Sequence, residues 1–289
     1  MVVARMGEKS HRNLARLART VHWFLLAVCF GFATTGRGQD PGALPAPGAA
    51  QIQQQVPFFA AALSQLLSDS RPFTASAEVQ LPADPGEAPL KLPFGVAMLD
   101  GKMRWELDAS RIKSAQLEAS TVDLLKQMKL DRVALIVRPE TNLVVLFPSQ
   151  QAYFEMPAPK PEAVQLKAQD NIEKLQKKLV GREVVDGMDC LKYQLTVPNG
   201  KLDQAFVWTA TKLKDFPIKL AVHFDKSVYG LHFTNIRMGN PDARYFVVPA
   251  GYTRHAGPES MLQSVMLKSL GEGASGLKLF GDLESAFGK

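Results

Sequence analysis

The sequence contains very little cysteine: Cys29 and Cys190 are the two in 289 residues. Cys29 lies in an N-terminal segment that we expect to be removed, which leaves Cys190 alone and excludes an intramolecular disulfide. The fold must therefore rest on a hydrophobic core, and the roughly 250 residues that remain are enough to build one.

The sequence also lacks the local signatures of common catalytic sites. It has no Gly-x-Ser-x-Gly elbow, no phosphate-binding P-loop and no paired-carboxylate motif. Gly271-x-Gly273-x-x-Gly276 matches a dinucleotide fingerprint in letters only, because it follows a predicted helix where the fingerprint requires a strand. We interpret this stretch as part of a flexible tail.

Cys190, His223 and His232 are the residues from which a thiol enzyme or a metal site would have to be built. Cys190 lies in an alternating strand, where a cysteine is usually a small inert hydrophobic residue, although a neighbouring histidine base would make it a nucleophile. The two histidines interrupt strands at positions facing away from the main apolar set and lack the carboxylate–histidine spacing of a metal site. We predict a protein that is not an enzyme and has no metal or cofactor, with a thiol-dependent enzyme as the less favoured alternative.

The apolar run at residues 21–33 is too short to cross a bilayer, which takes roughly 18 residues. A basic segment precedes it and small residues follow, including Gly36 and Gly38, an order typical of a secretory signal peptide. We predict a signal peptide over residues 1–38 and a periplasmic location. A retained amphipathic helix is the alternative, and a lipid anchor at Cys29 is disfavoured because bulky Val28 precedes it.

Outside this leader the chain lacks an excess of charge of either sign. The whole chain has a net charge of +6. Residues 1–38 hold six Arg or Lys and one Glu, so 28 basic and 27 acidic residues remain. The basicity therefore belongs to targeting, and there is no electrostatic footprint for nucleic acid.

What the sequence does contain is a series of apolar–polar alternations separated by turns, the pattern of antiparallel strands. These predicted strands cover residues 73–81, 94–99, 102–109, 133–137, 143–147, 190–197, 202–210, 218–224 and 231–238. Tight turns are predicted at Asp100-Gly101, Asp186-Gly187 and Asn199-Gly200. The stretch Leu143–Phe147 does not alternate, so we expect both of its faces to be covered.

Helical spacing predicts helices at four places, namely residues 57–69, 121–131, the stretch after Pro161 that includes Leu175 and Leu179, and 258–270. The domain division expected from these patterns is a signal peptide (1–38), a Pro/Gly/Ala-rich disordered linker (39–50), one domain with an N-terminal helix (51–256), and a C-terminal helix with a flexible tail (257–289).

Several motifs together resemble an uncharacterised family of exported bacterial proteins that is similar to the lipoprotein carrier LolA. The resemblance covers about residues 73–252. Its motifs are Met128-x-x-Asp131-Arg132-Val133, Arg138-Pro139-x-x-Asn142, Tyr153-x-Glu155-Met156-Pro157, Gly181-x-Glu183-x-Val185-Asp186-Gly187-x-x-Cys190-x-Lys192-Tyr193, Trp208-x-Ala210-x-x-Leu213-Lys214-Asp215-Phe216-Pro217-Ile218 and Phe246-x-Val248-Pro249-x-Gly251-Tyr252.

This resemblance implies an α+β fold: one strongly curved antiparallel sheet, a half-open barrel, with helices over its concave face. In LolA-like proteins that concavity accepts acyl chains or other lipids. The residues expected to line it here are Trp105, Leu107, Val145, Phe147, Phe206, Trp208, Leu220, Val222 and Phe224. For each of them, ordinary core packing is the competing interpretation.

The function expected from the sequence is a monomeric carrier-like protein that binds a lipid or a lipid-bearing protein, with possible peripheral membrane contact. The alternative is an envelope sensor or scaffold that uses the same sheet to bind another protein. A hollow already filled by the chain's own side chains would favour the alternative.

Overall fold

The structure, a computed structural model, describes Leu67 and residues 70–82, 89–112, 119–138, 142–157, 176–196, 204–224 and 227–271. This part of the chain contains twelve strands: β1 (Phe73–Leu81), β2 (Leu90–Leu99), β3 (Lys102–Asp108), β4 (Arg132–Arg138), β5 (Asn142–Phe147), β6 (Ala152–Pro157), β7 (Gln176–Val185), β8 (Met188–Thr196), β9 (Gln204–Ala210), β10 (Phe216–Phe224), β11 (Ser227–Met238) and β12 (Thr253–His255). It also contains helices α1 (Ala119–Gln127) and α2 (Pro258–Gly271). None of the helices in these ranges is both long enough and apolar enough to span a membrane.

All twelve strands form one sheet, in the order β12-β6-β5-β4-β3-β2-β1-β11-β10-β9-β8-β7. Neighbouring strands are antiparallel except β12 and β6, which are parallel. Strands β12 and β7 are the two ends of this order, so the sheet is open and curled and does not close on itself. The predicted large antiparallel sheet is therefore confirmed.

Two of the predicted turns have the backbone conformation that their sequence favours. Asp100 and Gly101 have φ angles of 49° and 72°, and Asp186 and Gly187 have φ angles of 49° and 73°. Positive φ at both central positions is the geometry that a two-residue hairpin needs and that Asp-Gly tolerates. Asn199-Gly200 lies outside the described residues.

The sheet has two chemically different faces, which we call inner and outer. The inner face is the one on which Phe94, Trp105 and Leu220 lie, and it carries most of the main hydrophobic cluster. The outer face carries the charged partners of the same strands, such as Glu78, Arg104 and Lys219. This separation follows directly from the period of two in the strands.

The inner face is concave where β3 and β11 approach each other. These two strands are three positions apart in the sheet, which is about 14 Å at the usual strand spacing. The ring centroids of Trp105 on β3 and Phe233 on β11 are nevertheless only 6.3 Å apart. The side chains converge over the intervening strands, as on the inside of a curled sheet.

A second, smaller core lies on the outer face, beneath the segment that we call the outer strap, residues 239–252. Phe246 of the strap packs on outer-face side chains of β2, β4 and β5, which are Ala97, Ala134, Ile136, Val144 and Leu146. Strand β5 is thus covered on both faces, as its lack of alternation predicted.

Two arginines fasten the outer strap to the sheet. Arg104 Nη1 donates to the Tyr245 carbonyl oxygen at 3.1 Å, and Arg138 Nη2 donates to the Phe246 carbonyl oxygen at 3.3 Å. Arg104 also pairs with Glu106, which accepts a second bond from Arg132. Burial alone would raise the pKa of Glu106, but the hydrogen bonds from Arg104 and Arg132 outweigh it and hold that pKa below its ordinary value.

The predicted helices agree with the structure in two places and disagree in one. Helices were expected at 121–131 and 258–270, and α1 and α2 lie there. The helix expected to include Leu179 is wrong, because residues 176–185 form β7, which pairs with β8 through the Asp186-Gly187 turn. Of the helix predicted at 57–69 only Leu67 is described, and it belongs to the main cluster. Residues 1–50 and the tail after residue 271 lie outside the described residues.

Candidate functional site

The candidate site is the inner face, because its apolar side chains continue from strand to strand in register. One row crosses six strands from β6 to β1: Phe154, Val145, Leu135, Trp105, Val96 and Ala75. Another crosses six strands from β8 to β2: Tyr193, Val207, Leu220, Leu231, Val79 and Leu92. Together they make one apolar surface that spans ten of the twelve strands.

The residues predicted from the sequence to line the site do not all lie on this face. Six of them share it: Trp105, Leu107, Val145, Phe147, Leu220 and Val222. Phe224 is the next inner-face position of β10, in register with Ser227, and its side chain lies outside the described part. Phe206 and Trp208 lie on the outer face, since they alternate with the inner-face residues Ala205 and Val207.

The chain itself contributes cover to the main cluster from outside the sheet. Leu67, Met128, Met261 and Val265 are each at most 6% exposed and belong to the same cluster as the strand side chains. Met261 and Val265 are one turn apart on α2, so that helix presents one of its sides to the cluster.

On the outer face, Trp208 is held by two lysines and a glutamate. Lys192 Nζ lies 4.9 Å and Lys219 Nζ 4.7 Å from the Trp208 ring centroid, within cation–π range. Trp208 Nε1 donates to Glu183 Oε2 at 2.6 Å, and Lys192 Nζ donates to Glu183 Oε1 at 2.7 Å. The hydrogen bonds from Lys192 and Trp208 lower the pKa of Glu183. These polar contacts explain how a large aromatic residue is buried on the face that lacks most of the core.

The turn between β7 and β8 returns over the outer face. Asp186 Oδ2 in this turn lies 2.8 Å from His232 Nε2 on β11, although two strands, β9 and β10, lie between β8 and β11 in the sheet. His223 packs edge-on against Phe206 at 6.1 Å. Both histidines face away from the main apolar set, as predicted.

Cys190 is placed as a packing residue. It is 1% exposed, and its Sγ donates to the Met188 carbonyl oxygen at 3.3 Å. Burial raises the pKa of its thiol, so the reactive thiolate is disfavoured. The two histidines contact other residues: His223 packs against Phe206, and His232 contacts Asp186. Within the described ranges, no group of three His, Cys, Asp or Glu residues could hold a metal ion.

We expect Cys190 to react slowly with a thiol reagent in the folded protein, because the reagent needs an accessible thiolate. In a Cys29→Ser variant, which leaves one thiol, Ellman's reagent should modify Cys190 at least a hundredfold more slowly than free cysteine. The rate should reach that of free cysteine in denaturant. Rapid modification of the native protein would contradict the buried placement and revive the thiol-enzyme alternative.

Polar groups interrupt the inner face in a small region that the sequence did not single out. In strands β1 to β11, charged side chains reach the inner face only in the β7–β8 hairpin: Lys177, Arg182 and Asp189. Tyr193 and Tyr229 bring phenol groups, and burial raises the pKa of Tyr229. Thr209 brings a hydroxyl. No local signal marked this region: the lysine and glutamine residues around Lys177 were interpreted from the sequence as the solvated side of a helix.

The comparisons with known proteins concern the fold. No family model matches the chain, and no curated protein matches it. Among solved structures it is similar to a LolA superfamily protein from Nitrosomonas europaea, at 13% identity over 66% of this chain and 96% of that chain, with a TM-score of 0.29. It is also similar to the lipoprotein LppX of Mycobacterium tuberculosis, at 12% identity over 64% of this chain and 97% of that one, with a TM-score of 0.37.

A third similar structure is the MucA/MucB complex of Pseudomonas aeruginosa, at 13% identity over 66% of this chain and 62% of that chain, with a TM-score of 0.37. The structural matches thus include the LolA superfamily, which the sequence motifs had suggested. The overlap is loose at these TM-scores, so these similarities concern the fold alone.

Proposed function

We propose that this chain is an exported, non-catalytic binding protein that holds a lipid or an acyl group on the inner face of its sheet. The observation that carries the proposal is the pair of continuous apolar rows. Apart from Tyr193, their side chains are at most 9% exposed, so an acyl chain would bind between these rows and the residues that cover them. An acyl chain gains about 0.8 kcal/mol per buried methylene, so a contact with a dozen carbons retains a lipid that water rejects.

Helices complete this arrangement in the proposal. Met128 after α1 and Met261 of α2 already contact the main cluster from outside the sheet. We infer that helices lie over the concave face and that the ligand occupies the space between them and the strands. Methionine suits such a boundary, because its flexible side chain adapts to surfaces that are sometimes occupied and sometimes empty.

Export is part of the proposal and rests on the basic and apolar order of residues 1–33. An exported carrier meets lipids in the envelope, where an acyl chain must be shielded while it crosses water. The proposed partners are accordingly a lipid or a lipid-bearing protein, met by a monomer at the surface of a membrane.

The test is to ask whether lipid accompanies the protein and whether filling the inner face expels it. We expect native mass spectrometry of protein purified from its own envelope to show lipid at near one-to-one ratio. Ala205→Phe places a ring on the inner face at a position that is 0% exposed, and should reduce the binding of a fluorescent fatty acid at least tenfold.

Ala221→Phe is the matched control, because Ala221 lies on the outer face of the neighbouring strand. It should leave fatty-acid binding within twofold of the unaltered protein. Absence of lipid from the purified protein, together with no binding of the probe, would overturn the proposal.

A second candidate function is binding of another envelope protein through the outer strap. Tyr245 and Val247 are each 50% exposed on this strap, beside the exposed Arg244. Tyrosine and arginine are enriched at protein interfaces. Persistent absence of lipid from the purified protein would favour this scaffold function over the carrier.

A further inference from the structure

A buried hydroxyl on the inner face has no hydrogen-bond partner among the described residues. This is Oγ1 of Thr209 on β9, a residue that is 5% exposed. Its cross-strand neighbours explain this, since Leu191 on β8 and Pro217 on β10 offer no side-chain donor or acceptor. A buried polar group left unpaired is costly, so an orphan of this kind calls for a partner that is absent from the protein itself.

Positive charge reaches the inner face beside this hydroxyl. Arg182 on β7 pairs with Leu191, which pairs with Thr209, so arginine and threonine stand in one row about 10 Å apart at the usual strand spacing. Lys177 stands further along the same edge, paired with Leu195. Both cations are exposed, and the structure shows no ion-pair partner for either of them within the described residues.

One acid also belongs to this region. Asp189 is paired with Val184, one step from Arg182 towards the hairpin turn. Its side chain is exposed, and the described residues show no ion pair between it and Arg182. The inner face therefore has a net positive end at the β7–β8 hairpin and an uncharged surface over strands β1 to β6 and β9 to β11.

We propose that the ligand is an amphiphile with an anionic head group, bound in one orientation. Its carboxylate or phosphate lies between Arg182 and Thr209, with Lys177 adding to the positive field, and its chain runs along the row of Val207, Leu220 and Leu231. This inference rests on the proposed function and adds the head-group chemistry and the direction of the chain. A charged acceptor near an arginine forms the stronger class of hydrogen bond, and the Thr209 hydroxyl gains the partner that it lacks.

The test compares an anionic and a neutral form of one probe. We expect cis-parinaric acid to bind the full protein about tenfold more tightly than its methyl ester, which corresponds to one charge-assisted hydrogen bond. Arg182→Gln should bring the two affinities within about twofold by weakening only the acid. Added salt should likewise weaken only the acid, because the arginine is exposed.

Lys178→Gln is the matched control, because Lys178 lies on the same strand and points to the outer face, opposite Gln194. It should keep the preference for the acid. An equal loss in Lys178→Gln and Arg182→Gln would show that any charge on β7 suffices, and would overturn the oriented site. Displacement of the probe by palmitate and by lysophosphatidate then separates a carboxylate from a phosphate head group.

Thr209→Val gives an independent measurement. Removing an unpaired buried hydroxyl should leave the melting temperature of the ligand-free protein unchanged or higher, while the affinity for cis-parinaric acid falls several-fold. A lower melting temperature with unchanged affinity would show that the hydroxyl serves the fold. Equal affinity of the unaltered protein for the acid and the ester would overturn this inference and leave the carrier proposal standing, whereas no binding of either probe would overturn both.

Discussion

Phe233→Ala is expected to lower the free energy of unfolding by about 3–5 kcal/mol, the usual cost of truncating a fully buried phenylalanine. Phe233 is 1% exposed near the middle of β11. Its ring centroid lies 5.6 Å from that of Phe216, 6.0 Å from that of Phe73 and 6.3 Å from that of Trp105. Three strands therefore lose aromatic contacts at once, and a cavity is left where the side chains of β3 and β11 approach each other.

Equilibrium unfolding in urea, followed by tryptophan fluorescence and circular dichroism, measures this change. Phe206→Ala is the matched control, because Phe206 is the same residue type on the outer face and only half-buried. We expect its cost to be less than half that of Phe233→Ala. Equal costs for the two variants would contradict the assignment of the main core to the inner face.

The strands could be predicted because their signals are local. The alternation in residues 73–81 predicts β1 with the bounds that the structure has. The Asp-Gly pairs mark the turns that follow β2 and β7. The period and the turn chemistry act over a few neighbouring residues, so neither depends on where the rest of the chain lies.

Which side of a strand faces the core is a long-range property, and β9 illustrates this, because its register places Phe206 and Trp208 on the outer face. Phe206 and Trp208 are bulkier than Ala205 and Val207, which made the aromatic side look like the inner one. The structure instead buries the small residues inward and covers Trp208 on the outer face with Lys192, Lys219 and Glu183. No pattern within β9 reveals that the β7–β8 hairpin returns over that face.

The polar end of the candidate site was hidden for the same reason. Lys177 was interpreted as part of the solvated side of a helix, because lysine and glutamine recur there without an apolar alternation, and Arg182 was not singled out. Their place on the inner face follows only from pairing with β8, in which a bulge at residue 180 shifts the register. Bulges re-aim side chains at the edges of sheets, and they leave no dependable signature in a sequence.

The outer strap was also missed, although its anchor was among the quoted motif residues. Phe246 was recognised as part of the family resemblance, and the structure shows it filling the second core. Strand β12, which follows, has three residues and pairs in parallel with β6. A strand this short has too little alternation to be recognised from its sequence.

Phe246→Ala is expected to release the outer strap from the sheet. Phe246 is 3% exposed and is the strap's main contact with Ile136, Val144 and Leu146, so its truncation should cost about 3–5 kcal/mol locally. The bond from Arg104 to the strap is exposed and that from Arg138 is partly buried, and the two cannot hold the segment alone, because such bonds contribute about 1 kcal/mol each. Amide hydrogen exchange should accelerate in residues 243–255. It should begin with the N–H of Thr253, which donates to the Gln151 carbonyl oxygen.

Tyr245→Ala separates this effect from a general loss of stability. Tyr245 is the neighbouring residue, is half-exposed, and contributes its backbone carbonyl to Arg104 whatever its side chain. We expect its truncation to change stability by less than about 0.5 kcal/mol and to leave exchange in the strap unaltered. Exchange that accelerates equally in β1 and β11 after Phe246→Ala would mean that the two cores unfold as one unit. Acceleration confined to the strap would mean that the outer face can be uncovered while the inner face, with its proposed ligand, remains folded.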